Sequence, residues 1–354
     1  MGVSLPAGPA WLRSPLLLQR FALASVVVNV LIVVTGGAVR LTGSGLGCPT
    51  WPSCTDDSLV PTKKYAGHGI IEFTNRQLTW VVSVVVLATL IIAIKQRTER
   101  ALAVVLAATI PAQAVLGGIS VLTHLNPWVV AAHFLLSSVI IAIAFTLWWR
   151  VTDPAGSSRD LPTRSAPRSF LARCSLARSS SQPPLRSGSD QPAEPASSAL
   201  RLAGWAMTAV TAAVLAVGTV VTGSGPHAGD KGATHRIHFA PASVAQLHAD
   251  LVMLLIGVTV GFVVLARAAG AGREVERAGW WLLAIELAQG LIGFVQYFTH
   301  VPAVLVGIHM FGACLVWLAA LTVIARLGAG PFRCVAAANS TGSAAPAPAS
   351  IAAR

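Results

Sequence analysis

QAVLGGISVLTHLNPWVVAAH (113–133) and QGLIGFVQYFTHVPAVLVGIH (289–309) together decide how this chain is built. Gln113, Gly117, His124 and His133 of the first stretch meet Gln289, Gly293, His300 and His309 of the second, every pair at an offset of 176 residues. Four polar or glycine matches at one spacing are not readily produced by chance, so the pattern reads as duplication of a unit. Two shorter echoes support it: VVTGG (33–37) returns as VVTGS (220–224), and LTGSG (41–45) resembles VTGSG (221–225).

Outward from these stretches, apolar runs near the ~20 residues that cross a bilayer occur around 21–39, 75–94, 101–122, 129–149, 202–221, 244–266, 278–298 and 303–325. Only 11% of residues are charged and 54% are hydrophobic, against roughly 25% charged in a soluble domain. Most of the surface therefore has to face lipid. The net charge of +12 invites a nucleic-acid reading, but the basic residues sit in the connections between apolar runs, where they set orientation and do not form a polyanion site. With the N-terminus inside, nineteen Lys and Arg fall on the inner side. Five fall outside (Arg40, Lys63, Lys64, Lys231, Arg236), and Arg76 lies within a span. The bias predicts a multi-pass protein of the cell membrane with both termini cytoplasmic. The first run is long and lacks a persuasive cleavage site, so it reads as a retained anchor.

The expected fold class is an all-α integral membrane protein, with eight transmembrane helices forming two tandem four-helix bundles related by a parallel repeat. Residues 1–20 form a cytoplasmic N-terminus, 21–150 the first bundle and 201–326 the second. Between them, 151–200 is rich in Ser, Pro and Arg and cannot bury a core, which predicts a disordered cytoplasmic linker; 327–354 reads as a disordered cytoplasmic tail.

A strongly polar side chain within a span is costly and therefore functional by default. His68, His133, His248 and His309 all fall near the outer ends of even-numbered spans. Neutral imidazole is the commonest metal ligand, and facing helices of a bundle can clamp a planar macrocycle. Two histidines in each half would supply two axial ligands to one haem iron; hydrogen bonding to interfacial carbonyls is the plainer alternative. His68 opens HGIIEFTNR (68–76), where His68, Glu72 and Asn75 share one helical face. Glu72 either pairs with Arg76 or transfers protons beside a reacting group. His124 and His300 occupy short outer loops and read as rim residues. His227, His235, His238, Arg40 and Arg236 are solvated or contact haem propionates. Asp250 and Glu286 read as helix–helix hydrogen-bonding groups. Cys48 and Cys54, in GCPTWPSC, lie in an outer loop where a disulfide is permitted, while Cys174, Cys314 and Cys334 have no matching partner.

VVTGGAVRLTGSGLGCPTWPSC (33–54), IIEFTNR (70–76) and the histidines of spans four, six and eight resemble the haem A synthase family, in the variety found in high-GC Gram-positive bacteria. The resemblance covers nearly all of both bundles and omits the linker and tail. It implies an eight-helix membrane oxidoreductase that converts a methyl group of haem O to a formyl group, giving haem A for cytochrome oxidase. It further implies haem O as substrate, haem b as cofactor, and haem O synthase and an electron donor as partners beside the lipid bilayer; oligomeric state is left open. On this resemblance His133 faces the substrate iron with Glu72 near the reacting edge, His248 and His309 hold haem b, and Cys48 and Cys54 match the family's outer cysteine pair. The chain departs from the family's E-x-x-H-R pattern at Asn75, which makes His68, two turns earlier, the substitute ligand. Two other readings use the same histidines: a bis-histidine electron-transfer cytochrome, which leaves Glu72 idle, and a haem-handling transporter or chaperone.

Overall fold

The computed structural model describes residues 14–61, 66–153, 198–227, 229–230 and 235–328. Most of the expected linker and nearly all of the expected tail, with Cys174 and Cys334, lie outside them. Eight helices follow in order: α1 (Pro15–Leu41), α2 (Ala66–Gln96), α3 (Arg100–Leu122), α4 (Pro127–Thr152), α5 (Ser198–Ser224), α6 (Pro241–Ala268), α7 (Arg273–Phe298) and α8 (Ala303–Arg326). All eight are long and apolar enough to cross a membrane. Among the described residues the only strand-like pairing is one bridge between Thr55 and Ser58. The chain is an all-helical, multi-pass membrane protein.

The helix ends follow from local chemistry. Pro15, Pro127 and Pro241 stand in the first turns of α1, α4 and α6, where a missing N–H costs nothing. Asn126 caps α4 by accepting the N–H of Trp128 at 3.0 Å. Lys95, Arg150, Arg267 and Arg326 occupy the last turns of α2, α4, α6 and α8, where positive charge meets the negative end of the helix dipole. Because α2, α4, α6 and α8 all run the same way, these charges gather at one end of the molecule, called here the linker end. The opposite end carries the loop of Cys48 and Cys54.

At that disulfide end, α3 turns into α4 and α7 into α8 with the same backbone. His124 and Leu125 have φ of 50° and 59°, and His300 and Val301 have φ of 61° and 60°. Leu125 N–H donates to the Ser120 carbonyl, and Val301 N–H to the Gln296 carbonyl, each at 2.8 Å. A left-handed pair ending in a β-branched valine is unusual, so its recurrence at the 176-residue offset extends the sequence repeat into the main chain.

Within each set of four, the helices contact one another in a closed cycle; between the sets, α1 packs on α8, and α4 on α5 and α8. Leu18, Val86, Leu106, Ile140 and Leu147 belong to one buried core. Leu200, Met207, Leu255, Phe262 and Leu282 belong to another. Val33, Ile141 and Cys314 form a third at the seam, where the Trp317 indole donates Nε1–H to the Ser138 carbonyl at 2.9 Å. The outward faces are apolar too: Trp80, Val84, Leu87 and Ile91 line one exposed stripe of α2, as a lipid-facing helix requires.

Candidate functional site

α2 begins at Ala66, nine residues before its apolar run, so HGIIEFTNR is helical throughout. Its His68, Glu72 and Arg76 side chains bond to the segment that precedes it. Glu72 is buried, 5% exposed. Its Oε2 accepts the backbone N–H of Cys48 at 2.7 Å, and its Oε1 accepts from Arg76 Nη2 at 2.6 Å and Nε at 3.1 Å. Arg76 then reaches back into the loop, donating to the carbonyls of Cys48 (2.7 Å), Thr50 (2.9 Å) and Ser53 (3.1 Å). Cys48 and Cys54 are joined in a disulfide with a Cα–Cα distance of 4.3 Å. The ion pair and the cystine are therefore one assembly: Arg76 grips the loop's carbonyls and Glu72 its amide. Arg76 Nε and Nη2 both reach Glu72 Oε1, and its planar fork suits this many acceptors where a lysine does not.

The same loop covers the first half. Trp51 lies on α3 at Gly118, where a Cβ would overlap the indole, and the neighbouring Gly117 lies against the His133 imidazole. His68 sits exposed in the first turn of α2, with Nδ1 2.9 Å from Ser44 Oγ. A bond at Nδ1 leaves Nε2 as the nitrogen that faces outward. Asn75 is engaged with α1, its Oδ1 accepting from Thr35 Oγ1 at 2.8 Å.

The second half holds its histidines differently. His248 on α6 and His309 on α8 face each other with ring centroids 6.5 Å apart and planes at 69°. No ring contact joins His68 to His133 among the described residues. The half-buried rings of His133, His248 and His309 each lie against a glycine: a Cβ built on Gly117, Gly218 or Gly293 would stand 3.0, 3.2 or 3.5 Å from the respective Cε1. Nδ1 of each of these three histidines is buried without a hydrogen-bond partner. With a nitrogen–metal distance of about 2 Å on each side, two imidazoles sharing one iron have centroids roughly 6 Å apart. The His248–His309 pair fits an iron-centred macrocycle clamped between α6 and α8.

The remaining polar candidates divide by place. Arg40 donates Nε–H to the His227 carbonyl at 2.8 Å and Nη2–H to the Thr222 carbonyl at 3.0 Å, tying α1 to the α5–α6 connection. His227 Nε2 lies 2.9 Å from the Val301 carbonyl, and Arg236 donates to the carbonyls of Gly225 and Pro226. Asp250 accepts from Gln246 at 2.7 Å. Glu286, buried in α7, accepts from Thr259 Oγ1 at 2.9 Å, a helix–helix bond as expected. Sequence reasoning saw Gln113 and Gln289 as matches in a repeat and gave them no task. Each donates Nε2–H to the main-chain carbonyl of its neighbouring histidine, His133 or His309, at 3.0 Å.

Known proteins resemble parts of this chain. It is 33% identical to a haem A synthase of Lysinibacillus sphaericus over 135 residues, 37% of this chain and 43% of that protein. A haem A synthase of Listeria welshimeri is 34% identical over 122 residues, 33% of this chain and 40% of that protein. One of Geobacillus thermodenitrificans is 28% identical over 161 residues, 42% and 50% of the two chains. The chain thus spans about half or less of the length of the curated relatives it matches. The family match is broader: residues 19–321 correspond to the COX15-CtaA family, described as cytochrome oxidase assembly protein. With most of its length matched, both helical sets included, the chain belongs to that family.

Proposed function

We propose that this chain is a haem A synthase, oxidising the methyl group of haem O to a formyl group to give haem A for cytochrome oxidase. The family match and the names of the relatives support it. The observation that carries it is the contrast between two repeat-related histidines. His309 meets a second imidazole, whereas His133 lies against Gly117, next to the glycine on which Trp51 of the carboxylate-fastened loop rests. One permanent and one exchangeable haem call for such a difference. A bis-histidine electron-transfer cytochrome would use a matching pair in each half and gives Glu72 nothing to do.

In this reading the chain forms two tandem bundles, 21–150 for haem O and 201–326 for haem b, with the disulfide end outward in the cell membrane and both termini cytoplasmic. His248 and His309 ligate haem b. His133 ligates the substrate iron, and His68 is the second ligand in this reading, although among the described residues no ring contact joins these two as it joins His248 and His309. Bound iron supplies the oxidising power. The protein's own contribution is orientation and proton handling. Trp51 of the cystine loop packs on α3 at Gly118, next to the glycine that meets His133. Glu72 Oε2, which accepts from the Cys48 main chain and not from the guanidinium, is the oxygen available to take a proton as the methyl group is oxidised, while Arg76 keeps Oε1 fixed. Taking the methyl carbon to the formyl level removes four electrons and adds one oxygen atom, so an oxidant and an oxygen source from outside the chain are required, with haem O coming from haem O synthase.

The test is pigment analysis of the full chain purified with and without a haem O source. Haem A should appear only with that source, and Glu72→Ala should abolish it while haem remains bound. Recovery of unmodified haem alone, in a host that still makes haem A without this protein, would sink the synthase reading.

A further inference from the structure

The geometry points to Gln113 and Gln289 as positioning residues that fix the depth of one ligand in each half, an inference that rests on His133 and His309 being haem ligands. Each amide donates to the main-chain carbonyl of its histidine, at 3.0 Å in both halves. Those carbonyls lie inside α4 and α8, where the N–H four residues on already serves them. The glutamine is therefore not needed to satisfy the helix. What it adds is register, locking α3 to α4 and α7 to α8 at the height of the ligand.

One turn along the same face, Gly117 and Gly293 meet the ring edges of the same two histidines. Glutamine and glycine, four residues apart, thus hold each histidine from two sides, by backbone and by ring. The amide oxygens of Gln113 and Gln289 are buried without a partner. Keeping such an amide with an acceptor unused costs free energy in a bilayer, which a purely packing residue such as leucine or methionine avoids. His248 gives the contrast. Its ring also lies on a glycine, Gly218, but among the described residues no side-chain amide bonds its carbonyl. Haem b therefore has one ligand, His309, whose own carbonyl is tied to the neighbouring helix, and one, His248, held through its ring by Gly218 and the Val214 main chain.

Gly312 supplies an independent handle. It follows His309 by one turn on α8, and a Cβ there would overlap the Gln289 carboxamide. Gly312→Ala therefore evicts an unaltered Gln289 from the His309 carbonyl.

The experiment uses the full chain purified with haem b bound. Gln289→Met and Gly312→Ala should retain haem b yet share a displaced low-spin paramagnetic resonance signal. Both should lose haem to apomyoglobin roughly three- to tenfold faster, the span expected for one interhelical hydrogen bond in a membrane bundle. Gln113→Met should leave that signal where it is, because it acts in the other half. If Gln289→Met does not fold, Gly312→Ala carries the test alone. A lowered melting temperature with unchanged signal and unchanged haem loss means packing only, and overturns the inference. His309→Ala separates the two layers. Loss of haem b there upholds the ligand reading whatever the glutamine variants show, and an unchanged spectrum overturns both.

Discussion

Glu72 accepts the backbone N–H of Cys48 at 2.7 Å, so a carboxylate on α2 and a half-cystine in the preceding loop move as one. The loop's covalent closure and the carboxylate's position are consequently linked through that amide and through Arg76, which bonds both.

Cys54→Ser opens that loop. A closed loop of this length contributes about 2 kcal/mol, and the opened segment no longer presents the Cys48 amide at a fixed place. Haem A formation should fall at least tenfold while the haem b spectrum is unchanged. Parallel assays of product and spectrum decide it; equal loss of both would assign the disulfide to general folding.

Arg76→Ala should be more damaging than Glu72→Gln. Removing the guanidinium leaves Glu72 buried without its counter-ion and frees three loop carbonyls, a cost of about 3–5 kcal/mol for a broken buried pair. Arg76→Lys keeps the charge but not the fork and should rescue only part. Thermal unfolding of the purified variants measures the order, and proteolysis between Cys48 and Ser58 should report the freed loop.

His248→Ala and His309→Ala should each remove the low-spin haem b spectrum, because one imidazole cannot replace the pair. His133→Ala should leave that spectrum intact and abolish turnover of haem O. Optical spectra of the three variants, recorded without substrate, check the division between halves.

His68→Ala and Asn75→Ala bear on the other iron. With haem O bound, His68→Ala should change the substrate-haem spectrum. Asn75→Ala should not, since its amide is occupied by Thr35. An unchanged spectrum in His68→Ala removes it as a ligand.

The eight spans were legible because lipid imposes a length and a composition that few other constraints mimic, and the 176-residue offset marked the repeat-related histidines. The start of α2 was less so. The shared helical face of His68, Glu72 and Asn75 was readable, but not that Ser44 and Cys48, 24 residues upstream, take up the side chains of His68 and Glu72. Glu72 and Arg76 were readable as a pair by their spacing, but Arg76's grip on main-chain carbonyls was not, since a carbonyl is the same in every residue. The tasks of Gln113 and Gln289 were hidden for that reason too. The meeting of His248 with His309 depends on how α6 and α8 are rotated, which similar depth in the bilayer does not determine.

The bond from Trp317 to the Ser138 carbonyl joins residues 179 apart in the chain. At roughly 5–20 residues per second, a ribosome needs about 10–35 s to cover that distance. For that interval α4 sits in the bilayer with its seam face against lipid, and α1 waits longer still, since Val33 and Cys314 are 281 residues apart. The first four helices must therefore tolerate lipid on a surface that the finished protein buries. Apolar seam residues such as Val33, Ile141 and Cys314 allow this, because they are equally at home against an acyl chain and against a late-arriving helix.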